Sequence, residues 1–315
     1  MKAVVLPEFG GPEVLAIEDV AVPEPIPTEI QVRVHAAGVN PVDFKTRQGR
    51  GMAHLLGDPP LRIGWDVSGV VSAVGGGVTR FSVGDEVFGM PWFPRQAGAY
   101  AEYVTAPSRH FAAKPAVLSH EEAAALPLAG LTAWQAIVDT IRLQSGDDLL
   151  IHGAAGGVGH LAVQIAAARG AHVLATARAE QAEMLARLGA ERTIDYREER
   201  FEEFAAELDA VIDLVGTEGE RSLPVLRPGG MLVCVPSGSL ADVKEKGEAM
   251  NRRVTGILVE PDLVGLEGLC HLVEDGKLEV HVAEVFDLER AAAAHRLAET
   301  SHGGGKIVLR VASPL

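Results

Sequence analysis

The sequence predicts an α/β chain in two parts, a β-rich, barrel-like part and a doubly wound parallel sheet. Three observations carry this. Residues 1–120 hold many short alternating stretches separated by glycine turns. From about Glu121 the texture becomes Ala- and Leu-rich, and six apolar runs then alternate with helical stretches, at 148–152, 171–177, 192–195, 209–215, 231–235 and 254–259. Six strands are what a complete doubly wound sheet uses. Between the first two runs lies Ala154-Ala155-Gly156-Gly157-Val158-Gly159, a small-residue turn of the [A/G]-x-G-x-x-G kind.

The elements follow in order. Lys2–Leu6 alternates toward a strand, and VPEPIP (22–27) is a proline-stiffened connector. Glu29–Gly38 alternates over Ile30, Val32 and Val34 and is expected to be half-buried. Val67–Val74 and Val83–Met90 read as two strands around the turns Gly75-Gly76-Gly77 and Gly84-Asp85, with Gly98–Thr105 as another. Residues 121–139 (EEAAALPLAGLTAWQAIVD) read as helix. Asp148–His152 is an apolar run fit for a buried parallel strand. After the glycine turn, His160–Arg169 is a helix ended by Gly170, and Ala171–Ala177 is the next strand. Beyond Glu260 come a helix, a strand region at Lys277–Phe286, a helix at Leu288–Thr300 and a final strand at Lys306–Val311. That last strand needs a sheet to join, so residues 261–315 are expected to complete a first domain of residues 1–120. Residues 121–260 form the second domain.

The glycine turn has a physical purpose. Small residues let the backbone approach a pyrophosphate, and the N–H groups at the helix start hold it. A glycine triplet alone is weak, but strand, turn, helix and strand in one βαβ unit is the confirming context. The end of the second strand distinguishes the dinucleotide. An acidic residue about 20 residues past the turn suits the ribose 2′-OH of NAD. Here Thr176-Ala177-Arg178 stands instead. A guanidinium suits a 2′-phosphate and a carboxylate repels it, so NADPH is favoured. The plain alternative makes Arg178 a solvated charge opening the next helix.

Composition sets bounds. At 315 residues the chain is long enough for two domains, and it is 47% hydrophobic and 23% charged. The formal net charge of −15 disfavours nucleic acid as a partner. No apolar run approaches a membrane helix in length, and MKAVVLPEFGGPEVL reads as strand and turn, not as a signal peptide. The two cysteines, Cys234 and Cys270, stand far apart in apolar surroundings, which fits buried thiols and a reducing cytoplasm.

Eight segments, in this order and spacing, carry a likeness over essentially the whole chain: AAGVNPVDFKTRQG (36–49), GWDVSGVVSAVG (64–75), GDEVFG (84–89), GAYAEYV (98–104), LPLAGLTAWQA (126–136), HGAAGGVG (152–159), LRPGG (226–230) and GGKIVL (304–309). The chain resembles the medium-chain dehydrogenase/reductase superfamily, and within it the zinc-independent quinone oxidoreductase and enone reductase branch. The resemblance implies a GroES-like catalytic domain, a Rossmann domain, a cleft between them and a homodimer through Rossmann edge strands, with Arg253–Leu258 near the interface. It implies a quinone or an α,β-unsaturated carbonyl as the small-molecule acceptor.

Zinc is disfavoured by the residues. Where the family's zinc enzymes carry a Cys ligand this chain has Asn40, and where they carry Gly-His-Glu it has Gly64-Trp65-Asp66. The four closely spaced cysteines of a structural zinc lobe are missing. Without a Lewis acid, hydride addition to an already polarised acceptor is the easier chemistry. It needs a held nicotinamide, a donor to the carbonyl oxygen and exclusion of water. Asn40, Asp43 and Lys45 are the candidate catalytic residues. Standard quinone reductases resemble NPxDTYxRxG, with Tyr where Lys45 stands, and the present NPVD-[aromatic]-K pattern is similar to that of plant enone and alkenal reductases. On that likeness Lys45 stabilises developing enolate charge and Asn40 orients the nicotinamide or substrate. The plain alternatives are a solvated lysine and a turn former, with Asp43 a helix cap or a partner of Arg47.

Other cofactor contacts follow by position. Ala155, Gly156, Gly157 and Val158 are placed at the pyrophosphate, and Thr132 is similar to the family Thr that lies near the nicotinamide or phosphates, its plain alternative a helix-start hydroxyl. Thr176 and Arg178 are placed at the ribose 2′-phosphate end, and Tyr196 resembles the family Tyr that flanks that phosphate, its plain alternative an ordinary surface Tyr. Val215 and Ser237 stand at carboxyl ends of strands, Leu258 and Val259 offer backbone groups to the carboxamide, and Lys306 reaches cofactor phosphates in relatives. Two other activities compete: an enoyl-thioester reductase and a non-catalytic NADPH-binding protein.

Overall fold

The structure is a computed structural model that describes residues 1–235, 240–300 and 304–311. Its strands, in chain order, are β1 (Lys2–Val5), β2 (Ala16–Asp19), β3 (Glu29–Val39), β4 (Asp66–Val74), β5 (Glu86–Gly89), β6 (Tyr103–Pro107), β7 (Phe111–Ala113), β8 (Asp148–His152), β9 (His172–Ala177), β10 (Arg192–Asp195), β11 (Leu208–Asp213), β12 (Leu226–Cys234), β13 (Arg253–Gly256), β14 (Val282–Asp287) and β15 (Lys306–Arg310). They fall into two units. One comprises Met1–Leu131, Glu260–Glu274 and the chain from Val280 on; the other comprises Thr132–Val259 and Asp275–Glu279.

In the first unit a sheet runs β14-β15-β3-β4-β5-β7, with β6 also paired to β3. The long strand β3 is its centre, antiparallel to β4, β6 and β15. Ile30, Val32 and Val34 point to one face, where they pack with Val67, Val71, Val87 and Phe111. From Ala36 to Val39 the strand is buried on both faces. The helix His120–Ala125 covers it there, and a Cβ on Gly38 would lie 2.4 Å from the Ala124 carbonyl oxygen. Leu128 N–H also donates to Asp66, 2.8 Å away, so residues up to Leu131 belong with this unit. β15 joins β3, so the end of the chain completes the sheet that its beginning starts.

The second unit is a six-stranded parallel sheet in the order β10-β9-β8-β11-β12-β13, the Rossmann arrangement. Leu150, Val211, Leu232, Ile194 and Val254 fill one of its faces. The helix Gly159–Ala168 follows β8 and is buried from Gly159 through Ala166.

Several boundaries differ from the sequence reading. β6 starts at Tyr103 because Ala99 and Tyr100 bond back to the Gly64 and Ile63 carbonyls. The helix expected over 121–139 breaks before Pro127, which has no N–H to donate, and ends as a π-helix at Gln135–Ile141. β14 starts only at Val282, and β13 stops at Gly256, leaving Leu258 and Val259 beyond it. Among the described residues no helix is long and apolar enough to cross a membrane.

Candidate active site

The glycine turn sits where a parallel strand meets a helix. Gly156 N–H closes on Gly153 O at 3.0 Å, and His160 N–H reaches back to Gly156 O. The N–H groups of Ala155, Gly157 and Val158 have no hydrogen-bond partner among the described residues. Buried or half-buried donors left open at the head of a ten-residue helix favour an anion. The glycines act differently. A Cβ on Gly159 would lie 2.4 Å from Gly153 O and 2.5 Å from Ala154 O, both backbone atoms, so close packing of the turn excludes it. A Cβ on Gly156 would meet only Gly153 O, at 3.2 Å.

At the carboxyl end of β9, Arg178 Nε donates to the Tyr196 hydroxyl at 3.2 Å. No carboxylate among the described residues pairs with Arg178; the nearby Glu180 faces Arg197 at 3.7 Å. Thr176 is turned inward instead. Its hydroxyl meets His152 Nδ1 at 3.1 Å, while His152 Nε2 meets Ser222 Oγ at 3.0 Å. Ser222 Oγ donates to Glu218 O, so His152 must give it a proton from Nε2 and accept from Thr176 at Nδ1. Burial, the largest influence, lowers His152 to about 4, which keeps that neutral tautomer. Val215 is exposed and its N–H is held by Asp213 at 2.9 Å. Leu258 is exposed, while Val259 and Thr132 are buried. Ser237 lies outside the described residues.

The first unit carries a buried polar cluster. β3 ends at Val39, and the helix Pro41–Arg47 begins at once with Asn40 as its cap and Pro41 at its first position, where no N–H is needed. Asp43 accepts the Asn40 backbone N–H at 2.7 Å and the Tyr100 hydroxyl at 2.7 Å. Asn40 Nδ2 donates to Asp66 at 2.8 Å. Lys306 Nζ donates to Val39 O at 3.2 Å and to Asn40 Oδ1, and stands 3.8 Å from Asp66 Oδ2. Asn40, Asp43, Asp66 and Lys306 are 2%, 0%, 0% and 4% exposed.

Burial dominates the electrostatics. It pushes Asp43 up to about 7 against the Tyr100 hydrogen bond, and Asp66 up to about 6 against the Lys306 charge. It lowers Lys306 below its usual range, opposed by both carboxylates. The two carboxylates and the ammonium therefore ionise as one coupled group, with burial pushing each toward its neutral form. The third Nζ–H of Lys306 has no hydrogen-bond acceptor among the described residues, and Asp43 Oδ1 has no partner.

The structure thus brings Asn40, Asp43 and Lys306 together. Lys45 lies on the same short helix, half-buried, and its ammonium has no hydrogen bond or ion pair among the described residues. Arg47 pairs with Glu299, not with Asp43. Sequence reasoning passed over Tyr100 and His295. The available signals were Gly64, whose Cβ would lie 2.4 Å from the Tyr100 ring, and a lone histidine in the run AAAAHRLAET.

A Rossmann sheet with an open anion cradle, in one chain with a unit of the GroES-like kind, defines a dehydrogenase/reductase of the medium-chain class. Residues 26–116 match the alcohol dehydrogenase GroES-like domain, and residues 188–309 match the zinc-binding dehydrogenase family. The chain is 35% identical to the 2-methylene-furan-3-one reductase of Solanum lycopersicum, over 98% of this chain and 79% of that one. It shares 40% identity and a TM-score of 0.92 with the quinone oxidoreductase of Coxiella burnetii, covering 99% of each chain. The Escherichia coli quinone oxidoreductase complexed with NADPH matches at TM-score 0.85 and 30% identity, over 99% of this chain and 100% of that one. The chain belongs to the medium-chain dehydrogenase/reductase superfamily, in its quinone oxidoreductase and enone reductase branch, and is an NADP-dependent oxidoreductase.

The match to a zinc-binding dehydrogenase family raises zinc, and the side chains at the cluster bear on it. Asn40 and Asp66 stand at the places that matter, with a lysine ammonium already against both. Among the described residues no three His, Cys, Asp or Glu side chains converge. That donor set does not fit Zn²⁺, which takes Cys and His ligands with a carboxylate as supplement.

Proposed function

We propose that this chain is an NADPH-dependent, zinc-independent reductase of quinones or α,β-unsaturated carbonyls. The observation that supports it best is Arg178 beside the Tyr196 hydroxyl, with no carboxylate among the described residues paired to the guanidinium. That is a site for a 2′-phosphate and a poor one for a bare ribose diol.

The residues divide the work. The N–H groups of Ala155, Gly157 and Val158 would hold the pyrophosphate, and Arg178 with Tyr196 the 2′-phosphate. When bound, the nicotinamide supplies a hydride to the polarised carbon of the acceptor. Asn40 is held by Asp66 and Lys306, so it presents a fixed amide. Lys45, a cation with no partner among the described residues, would from the helix that Asn40 caps stabilise negative charge growing on the acceptor oxygen. The Lys306 ammonium adds positive potential from within. The edge strand β13 is paired on one side only and would seat a second copy of the chain, as a homodimer.

The test is NADPH oxidation by the purified, metal-chelated protein. Acceptors are 1,4-benzoquinone, 9,10-phenanthrenequinone, a linear enone, an alkenal and a crotonyl thioester, with NADH in parallel. Turnover of quinone or enone that prefers NADPH, survives chelation and falls in Lys45→Ala supports the reading. Turnover of the thioester alone makes the protein an enoyl reductase. NADPH binding without turnover of any acceptor sinks the enzyme mechanism described here.

A further inference from the structure

One line of buried hydrogen bonds in the first unit runs from the helix Ala291–Thr300 to the helix Pro41–Arg47. Arg47 Nη1 lies 3.4 Å from His295 Nδ1, His295 Nε2 lies 3.4 Å from the Tyr100 oxygen, and the Tyr100 hydroxyl donates to Asp43 at 2.7 Å. Its polarity is fixed at one end. A guanidinium only donates, so His295 Nδ1 accepts. Nε2 then carries the hydrogen and gives it to Tyr100, whose own hydrogen goes to Asp43. Burial, then the Arg47 charge, lower His295 to about 3, so it stays neutral and can play both parts. Arg47 is itself anchored by Glu299 and by Gly10 O at 3.0 Å.

The line ends on the oxygen of Asp43 that also takes the Asn40 N–H. Asp43 and Arg47, two positions before and two positions after Lys45 in this helix, are therefore both tied to the helix Ala291–Thr300. The Lys45 ammonium between them has no partner among the described residues. A core of leucines would hold the two helices together without this arrangement, and it would not place a directed donor on Asp43. The helix contact alone does not require Tyr100 to carry an oxygen.

We propose that Tyr100 and His295 are positioning residues of the hydride-transfer site, acting through Asp43 to fix Asn40, and with it the Lys306 ammonium, at the head of the helix that carries Lys45. The proposal rests on the reductase reading given above. The groups that face Asp43 are Asn40 on its own helix, Asp66 on β4, Lys306 on β15 and Tyr100 ahead of β6, with His295 and Arg47 behind Tyr100. Loss of the Tyr100 hydroxyl takes a donor from the Asp43 carboxylate, and so moves its ionisation to higher pH.

The experiment measures kcat, KM and NADPH affinity across pH 5–9. The proteins are the wild type, Tyr100→Phe, Asp43→Asn, their double variant, His295→Gln, which keeps a donor near Nε2, and His295→Leu. Tyr100→Phe is expected to lower kcat about tenfold, the loss of one hydrogen bond to a charged group, with NADPH affinity unchanged. Its acid limb should move up in pH. Asp43→Asn should abolish that limb, and the double variant should be no slower than Asp43→Asn alone. His295→Gln should behave as wild type and His295→Leu as Tyr100→Phe. An unmoved limb in Tyr100→Phe, with kcat falling only in step with the folded fraction, overturns the proposal and leaves the reductase reading standing. A wild type that turns over no acceptor overturns both. Tyr100→Phe removes a single oxygen, so the comparison survives if His295→Leu does not fold.

Discussion

Lys306 Nζ lies 3.8 Å from Asp66 Oδ2, and both side chains are buried. One comes from the end of the chain and the other from β4, and Asn40 joins them through both ends of its amide. A buried ion pair of this kind is weak evidence for stability, but breaking it is not neutral.

Lys306→Met should therefore cost about 3–5 kcal/mol, because it strands Asp66 and Asp43 without their cation. Both carboxyl groups would rise further. A carboxyl whose folded value is raised stabilises the fold below its unfolded value, near 4, and loses that contribution as pH climbs through the folded value. The variant should accordingly be more stable at pH 5 than at pH 8, and Asp66→Asn added to it should recover part of the loss. Urea unfolding at both pH values measures this. A loss below about 1 kcal/mol would mean that the cluster does not depend on the ammonium.

Arg178→Ala should weaken NADPH binding by about ten- to a hundredfold while leaving NADH nearly unchanged, the worth of one or two charge-assisted hydrogen bonds. Fluorescence titration with both cofactors gives the ratio. Equal weakening of the two would place Arg178 away from the 2′-phosphate.

The two glycines of the phosphate turn should separate folding from binding. Gly159→Ala forces a Cβ to within 2.4 Å of Gly153 O, so it should lower the thermal midpoint of the second unit. Gly156→Ala meets one oxygen at 3.2 Å, so the fold should hold and NADPH affinity should fall. Calorimetry beside cofactor titration distinguishes the pair, and identical behaviour of the two variants would contradict the packing described.

His152 should make the second unit acid-labile. Its folded value of about 4 lies below that of an unfolded histidine near 6.5, so its contribution is present above pH 6.5 and lost as pH falls toward 4. Replacing it with Gln should flatten the stability–pH curve over that window by about 1.4 kcal/mol per pH unit. Guanidinium midpoints at pH 4.5, 5.5 and 6.5 test this, with an unaltered slope as the contrary result.

The parallel sheet and its phosphate turn were legible because their signals are local. β8 and β10 begin and end where their apolar runs do, and the turn needs only small residues at fixed spacing. Where a boundary shifted, a contact distant in sequence was the cause, as with Ala99 and Tyr100 bonded to the segment before β4. The candidate site was half legible. Asn40 and Asp43 stand in one short motif, while Tyr100 reaches Asp43 across 57 positions and His295 reaches Tyr100 across 195. Spacing in a sequence carries no record of such meetings. Thr176 shows the reverse: its place at a strand end suggested a ligand, and its hydroxyl is spent on His152.

The pairing of β3 with β4 on one side and β15 on the other bears on how the chain is made. On a ribosome all six strands of the parallel sheet emerge before β15 does, so that sheet can close while the first unit still lacks a strand. During this interval Ala36–Val39 offers an open edge of small apolar residues, the kind that recruits other nascent chains or a chaperone. A message cut short before codon 306 would yield a protein able to fold its nucleotide domain but without the Lys306 cation.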